Sequence, residues 1–482
     1  MPSARTALPF ALLVACNGAS DPSTGDDGSS GAAASTGAVD PTSTSTPVTT
    51  TTAADASTGD VTSSEPTTAD PTTGGEPALT YWRDIKAILD GKCGTCHRAG
   101  DIGPFALTTY EQARTMSPII APSIDDRTMP PWPPDDACTT YERDLSLTDD
   151  ERGKLLAWID LGSPEGDPAD EPPHEDDPAP PIAYDIELGI PEPYTPTALP
   201  DDYRCFLLDW PKDQPTYTTG FTIEPGARPI VHHVIAFIIP PAELAPFVAL
   251  DEADPGPGYP CYGGPGGEAS PRARWLGAWV PGGSSGALPE GTGIMVEPGS
   301  KIALQMHYHP LGDNASDQST LHIRTATSVE RPAYLLPIAN PGWMVDQPEM
   351  TIEAGDPDSV HEFQIGLSLI LQYLYGNDAP GIGKPMLVHA AGVHMHTRGV
   401  RASLQVLGQG GSDGPCLIDV PRWDFNWQGT YELREPVVVN SADQVRLTCH
   451  HDNSKGDAPI KWGEGTGDEM CLGMMYVSAP GE

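Results

Sequence analysis

The chain has 482 residues, with 26 Lys and Arg against 67 Asp and Glu, a formal net charge of -41. Such an acidic surface excludes nucleic acid as a partner and suits small-molecule substrates or basic redox partners. The length provides for two or three domains with substantial cores.

Arg5 followed by the apolar run 7–15 reads as an export signal, and Leu13-Val14-Ala15-Cys16 resembles a bacterial lipobox, in which Cys16 is lipidated. The run is too short to span a bilayer, and no later stretch of about 20 apolar residues follows. Residues 1–16 are therefore expected to be a lipoprotein signal peptide. The mature protein is expected on a membrane through its lipid anchor, facing the periplasm or the cell exterior, where disulfides form. Residues 17–77 hold no Lys, Arg or aromatic residue and are dominated by Ser, Thr, Ala, Gly, Pro and Asp. They cannot bury enough apolar surface to offset ordering entropy and are expected to form a disordered tether.

Trp82, Ile85, Ile88 and Leu89 predict a helix. Directly after it comes Cys93-Gly94-Thr95-Cys96-His97. C-x-x-C-H attaches a c-type haem: two thiols add to the vinyl groups and the histidine ligates iron. Thr109 with Gln112 and Thr148 with Glu151 predict two capped helices, the second running through Leu155, Leu156 and Trp158 and ending at Gly162. Residues 78–165 resemble a small monohaem cytochrome c domain, all-α. That resemblance makes Met129, in Arg127-Thr128-Met129-Pro130-Pro131-Trp132, the sixth iron ligand opposite His97. Met116, inside the second helix, is the alternative. Residues 166–181 are an acidic, Pro-rich linker and a natural boundary.

The remainder is punctuated by turn residues between short alternating segments, such as 229–239, 301–309, 386–395 and 445–450. This pattern predicts antiparallel β-sandwiches, and about 300 residues of it is enough for two. Within it, His394 and His396 stand at i, i+2, which puts both imidazoles on one face of a strand. Two imidazoles joined by a thioether, for which Met470 is the candidate, favour copper over harder metals.

Four motifs carry a resemblance. Val231-His232-His233-Val234, Leu304-Gln305-Met306-His307-Tyr308-His309-Pro310, His394-Met395-His396 with Gly399, and Asp468-Glu469-Met470-Cys471 occur in this order. They are similar to the motifs of type II copper, ascorbate-dependent monooxygenases, the family of peptidylglycine α-hydroxylating and dopamine β-monooxygenases. The resemblance implies two jelly-roll sandwiches, 182–335 and 336–482. It implies two copper ions: one for electron transfer on His232, His233 and His307, and one for oxygen binding on His394, His396 and Met470, the catalytic site. Bare geometry would also permit His309, which shares a face with His307. Adjacent histidines of a regular strand point to opposite faces, so His232 and His233 can share a metal only at a bulge or strand end. His389, His450 and His451 match no ligand motif and are expected in buried hydrogen-bonding or surface roles.

Nine cysteines less Cys16, Cys93 and Cys96 leave six. The resemblance pairs Cys449 with Cys471 around Met470, and Cys205 with Cys261 in the first sandwich. Cys138 and Cys416 then either join the helical region to the second sandwich or stay free. The chain departs from the family where Ile238-Ile239-Pro240 replaces a cysteine after the histidine pair. It departs again at Gly392, where peptide-amidating members carry arginine, and at Met474, where they carry tyrosine. These departures remove glycine-extended peptides from the expected substrates.

The expected function is hydroxylation of a C–H bond of a small organic substrate by O2. An external donor, an ascorbate-like reductant or a redox protein, would supply electrons, relayed by the fused haem. The alternatives are a non-catalytic copper and haem electron-transfer lipoprotein, and a stalked binding module without copper.

Overall fold

The structure is a computed structural model and describes residues 79–99, 103–173, 182–261, 264–266, 273–280, 286–310, 315–425, 427–463, 465 and 467–480. The expected signal peptide, Cys16, the tether 17–77 and residues 174–181 of the acidic linker lie outside the described residues. Leu79–Glu482 forms one compact unit.

The helical part comes first. A run over 81–93 is α-helical at Lys86–Ile88 and more widely wound at Tyr81–Ile85 and Leu89–Cys93. Bonds reaching one residue further widen the turn. Steps of four then align Tyr81, Ile85 and Leu89, and Tyr81 rather than Trp82 is the fully buried aromatic. The next helices, Tyr110–Asp125 and Asp149–Asp160, begin with reciprocal capping boxes at Thr109/Gln112 and Thr148/Glu151. Gly162, at φ 82°, takes the left-handed conformation just past the second. Ala113, Ile120, Ile124, Leu155 and Trp158 close the core of this region with Tyr81 and Ile85.

The rest is mostly β. In the first β-half, Asp202–Asp209, Val231–Ile239, Arg274–Trp279 and Lys301–Tyr308 run side by side, and Ile186–Gly189, Thr216–Glu224, Thr292–Val296 and Thr320–Ala326 form a second group of strands. Phe206, Val234 and Leu304 from the first group share a core with Ile223, Ile294 and Leu321 from the second. In the second half, the sheet Ser359–Ile365, Gln444–His451, Gly399–Leu407, Asp413–Val420 packs on Met386–His394, Thr430–Val439 and Leu472–Ser478. Leu404, Ile418 and Leu447 meet Val388, Val393 and Met475 there. Both halves thus bury one face of each sheet, the arrangement of a sandwich.

Arg331–Ile338 pairs with Leu472–Ser478, and also with Arg274–Trp279 and Thr292–Val296. The two halves therefore share a continuous sheet, and position 335/336 lies inside that strand. Two short helices, Leu244–Ala253 and Leu367–Tyr375, interrupt the β-rich chain where strand patterning alone foresaw none. In the second of them Leu367, Ile370 and Leu371 are buried, the i, i+3, i+4 spacing of one helix face.

Among the described residues three disulfides are present: Cys138–Cys416, Cys205–Cys261 and Cys449–Cys471. The first ties the helical region to the second β-half. Among the described residues no helix is long and apolar enough to cross a membrane.

Candidate metal centre

The first cluster is built on two paired strands. In the antiparallel register Val231 faces Tyr308 and His233 faces His307, which leaves His232 as an extra residue at a bulge. A bulge re-aims side chains that would otherwise alternate. His232 and His233 consequently approach the same point, with their Nδ1 atoms 3.2 Å apart, and His307 Nδ1 lies 3.3 Å from His233 Nδ1.

His307 Nε2 lies 2.9 Å from Asp201 Oδ1, which assigns its hydrogen to that nitrogen and leaves Nδ1 as a lone-pair donor. Tyr203 stacks on the His307 ring at 4.2 Å. Burial holds all three imidazoles neutral: it lowers His232, pushes His233 well below the ordinary range and takes His307 down to about 4. Neutral nitrogens cannot all satisfy one another as hydrogen-bond donor and acceptor. Nitrogens about 2.0–2.1 Å from a shared tetrahedral ion stand about 3.3 Å apart. Two of the three pairs stand at that spacing, and the ligand atoms of all three histidines lie within 4.8 Å of one another, so the cluster could hold one metal ion. His309 turns to the same Asp201 oxygen at 2.9 Å, its side chain 44% exposed, and stays outside this cluster.

The second cluster lies at the end of Met386–His394. His394 pairs with Leu472, and continuing that antiparallel register brings His396 opposite Met470. Between the two histidines, Met395 is buried in the core. The His394 and His396 rings stand 5.2 Å apart. His394 Nδ1 meets Gln428 Oε1 at 2.5 Å and His396 Nδ1 meets the Asp468 carbonyl at 3.1 Å. Both contacts assign the ring hydrogen to Nδ1 and leave Nε2 as the lone-pair nitrogen of each ring. Burial takes His394 down to about 3, with His396 adding to the shift, and lowers His396 as well.

Met470 is buried at 6% exposure. Its segment is held three ways: by the Cys449–Cys471 bridge, by His451 Nε2 on the Met470 carbonyl at 3.1 Å, and by Glu469. The Glu469 carboxylate is fully buried and accepts the amides of His396 at 2.9 Å, Arg398 at 2.5 Å and Met470 at 3.1 Å. Burial raises it to about 7, against the pull of those amides. Two neutral imidazoles, on a strand whose backbone register continues to Met470, are a donor set of the kind that suits copper.

One ring stands between the clusters. Phe425 lies 6.3 Å from His232 and 6.0 Å from His396, ring to ring.

In the helical region Cys93 and Cys96 form no disulfide, and burial pushes Cys93 up to about 12. His97 is 9% exposed, and its Nδ1 lies 2.9 Å from the Phe105 carbonyl, which assigns the ring hydrogen to Nδ1 and leaves Nε2 as the lone-pair nitrogen. A buried histidine oriented by a carbonyl beside two unbridged thiols fits covalent haem attachment. Met129 sits 42% exposed beyond the Tyr110–Asp125 helix, whereas Met116 packs against the helical core.

Asp201, Gln428, Trp423 and Phe425 were not legible as site residues. Asp201 and Gln428 are ordinary loop residues in sequence, and only the fold puts them on His307 and His394. Glu469 was visible inside its motif, but its grip on the His396 loop was not. His389 is buried with Nε2 on Ser478 Oγ at 2.8 Å, His450 meets Asp358 at 2.7 Å, and His451 holds Met470, so none of the three joins a cluster.

Residues 380–479 match the C-terminal domain model of copper type II ascorbate-dependent monooxygenases. The chain is also similar to DBH-like monooxygenase protein 2 of Mus musculus, 25% identical over 313 residues, covering 62% of this chain and 46% of that protein. The chain thus spans about half the length of that relative. Among solved structures, the VP2 subviral particle of infectious bursal disease virus is 11% identical over 61% of this chain and 71% of its own, with a TM-score of 0.18. A Paenibacillus xanthan lyase matches 61% of this chain and 24% of its own at 10% identity, with a TM-score of 0.14. Scores this low carry no argument. The segment that contains His394, His396 and Met470 is therefore the part of the chain that matches this domain model.

Proposed function

We propose that this protein is a copper monooxygenase that hydroxylates a C–H bond of a small organic substrate with O2. His232, His233 and His307 would hold an electron-transfer copper through Nδ1. His394, His396 and Met470 would hold the oxygen-binding copper through two Nε2 atoms and a thioether. Copper in these positions supplies single-electron redox chemistry and activation of dioxygen, and the soft thioether favours the reduced ion.

The chain's own residues prepare both sites. Asp201 and the Asp468 carbonyl fix the tautomers of His307 and His396, and Gln428 fixes that of His394. Burial keeps every ligand imidazole unprotonated at neutral pH, so no proton has to leave before a metal binds. The single observation that carries the reading is the pairing of His396 with the Met470 segment through Glu469, inside the span that matches the family.

We further propose that Cys93 and Cys96 carry a c-type haem on His97, with Met129 as its second axial ligand. Such a haem would pass electrons on from an external donor, either an ascorbate-like reductant or a redox protein. Lipidation of Cys16 would make the protein an exported, membrane-anchored lipoprotein.

The test is copper per haem in protein matured with haem and reconstituted with copper, compared with Met470→Ala and His307→Ala. The expected result is two coppers per haem, with each variant losing its own site, and oxygen uptake that depends on an added aromatic or aliphatic substrate. Two coppers without substrate-dependent oxygen uptake would leave an electron-transfer protein. One copper or none would overturn the two-site reading.

A further inference from the structure

The helical region is joined to the second β-half along a continuous seam. The 135–142 segment runs as an added edge beside Thr430–Val439: Glu142 N donates to the Glu432 carbonyl at 2.8 Å and Arg434 N to the Thr140 carbonyl at 3.0 Å. The Cys138–Cys416 disulfide and a Tyr141 hydroxyl donating to the Leu417 carbonyl secure it. Further along, Arg422 donates to the Asp126 carbonyl at 3.0 Å and to the Arg127 carbonyl. Those carbonyls lie two and three residues before Met129.

Both sides of the seam lead to functional residues. On the helical side, Trp132 follows Met129 by three positions, and its ring meets Tyr431 edge-on at 5.1 Å. On the β side, Tyr431 pairs in register with Ala391, on the strand that ends at His394. The residue after Arg422, Trp423, donates Nε1–H to the His396 carbonyl at 3.0 Å, and Gln428 in the same loop holds His394. The loop that clasps the helical region at one end therefore holds both histidines of the second cluster.

Trp132 Nε1 and Tyr431 Oη are buried at this seam without a hydrogen-bond partner. Leaving such groups unpaired costs about 1–3 kcal/mol each. Phenylalanine in place of Tyr431 would fill nearly the same space at no such cost. An unsatisfied buried group asks for a reason, and a redox role is one. Indole and phenol rings are the side chains best able to support electron passage between two sites.

We propose that this seam is the electron entry of the His394/His396/Met470 cluster. Single electrons pass from the C-x-x-C-H site across Trp132–Tyr431 and the Arg422–Trp423 loop, without first visiting His232, His233 and His307. The inference rests on the haem and copper assignments proposed above. In each passage one ferrous haem iron becomes ferric and one cupric ion becomes cuprous. No bond forms or breaks, and the external one-electron donor reduces the iron again.

The experiment is anaerobic stopped-flow oxidation of the reduced haem by the protein's own cupric sites, without substrate, after copper and haem contents are measured. Electron entry at the seam predicts that His307→Ala keeps the haem oxidation phase at its rate and His396→Ala abolishes it. Trp132→Leu, Trp132→Phe and Arg422→Ala should slow that phase by at least an order of magnitude with copper and haem contents unchanged, and Trp132→Tyr should recover it. In protein free of copper and haem, Arg422→Ala should raise amide exchange in both 126–132 and 421–429. Loss of the phase in His307→Ala with its survival in His396→Ala would overturn the proposal, as would unchanged rates in Trp132→Leu and Arg422→Ala. A chain that binds no haem or lacks the second copper fails at the content measurement, which separates failure of the assignments from failure of the route.

Discussion

Glu469 accepts the backbone N–H of His396 at 2.9 Å while also accepting that of its neighbour Met470. A single buried carboxylate thus ties two segments 74 positions apart, each carrying a proposed copper ligand. Glu469→Ala leaves several buried amides unpaired, each worth about 1–3 kcal/mol. The variant should lose about 3 kcal/mol or more of stability, read by chemical denaturation, and bind copper only at the first cluster. Glu469→Gln, which keeps an acceptor oxygen, should lose less of both. Full copper content in Glu469→Ala would show that the tie does not position the site.

Asp201 orients His307 through Nε2. Removing such a partner of a ligand histidine costs about 10–100-fold in metal affinity. Asp201→Ala should weaken copper at the His232/His233/His307 cluster by that factor and leave the second cluster unchanged. Competition titration with a calibrated chelator, in protein already lacking Met470, reads the first cluster alone.

The Cys138–Cys416 bridge closes a sequence separation of 278 residues. Loops of this size lose the most unfolded-state freedom when cross-linked, about 5 kcal/mol in the chain-entropy account. Cys138→Ser with Cys416→Ser should lower the denaturation midpoint and expose 135–142 to protease before the β-halves are cut. Coincident digestion of all parts would argue that the hydrogen bonds of the seam suffice.

His389 titrates at about 4 in the folded chain, burial having lowered it from an ordinary 6.5. Between those values the unfolded chain binds a proton that the folded chain refuses, so stability rises with pH there. This contribution is complete above pH 6.5 and is lost as pH falls toward 4, up to about 3 kcal/mol. His389→Gln, retaining a donor for Ser478, should flatten the fall in stability between pH 7 and pH 4.5. An unchanged slope would place the acid sensitivity in the other buried histidines.

Sequence alone determined much that depends on local chemistry. Capping boxes at Thr109 and Thr148 are readable because cap and partner lie three residues apart. The strand carrying His232 and His233 and the strand ending at His394 follow from period-two patterning, and the need for a bulge beside His232 follows from the same period. Two features were hidden by their range or winding. The wide turns of the first helical run bring Tyr81 rather than Trp82 fully inside, because a longer turn shifts the buried face. The short helices Leu244–Ala253 and Leu367–Tyr375 lie in runs too brief to tell from strands by pattern.

What tertiary structure decided is which groups meet across distance. Spacing left His307 and His309 equivalent, and the fold separates them by aiming one Nδ1 at His233 and the other at Asp201. Spacing left Cys138 and Cys416 open, and the fold joins them where the helical region lies along the second β-half. Asp201, Gln428 and Phe425 became visible only once loops remote in sequence were packed against the histidines. Residue type and period are written locally along the chain, whereas hydrogen-bond partners and burial belong to the packed whole.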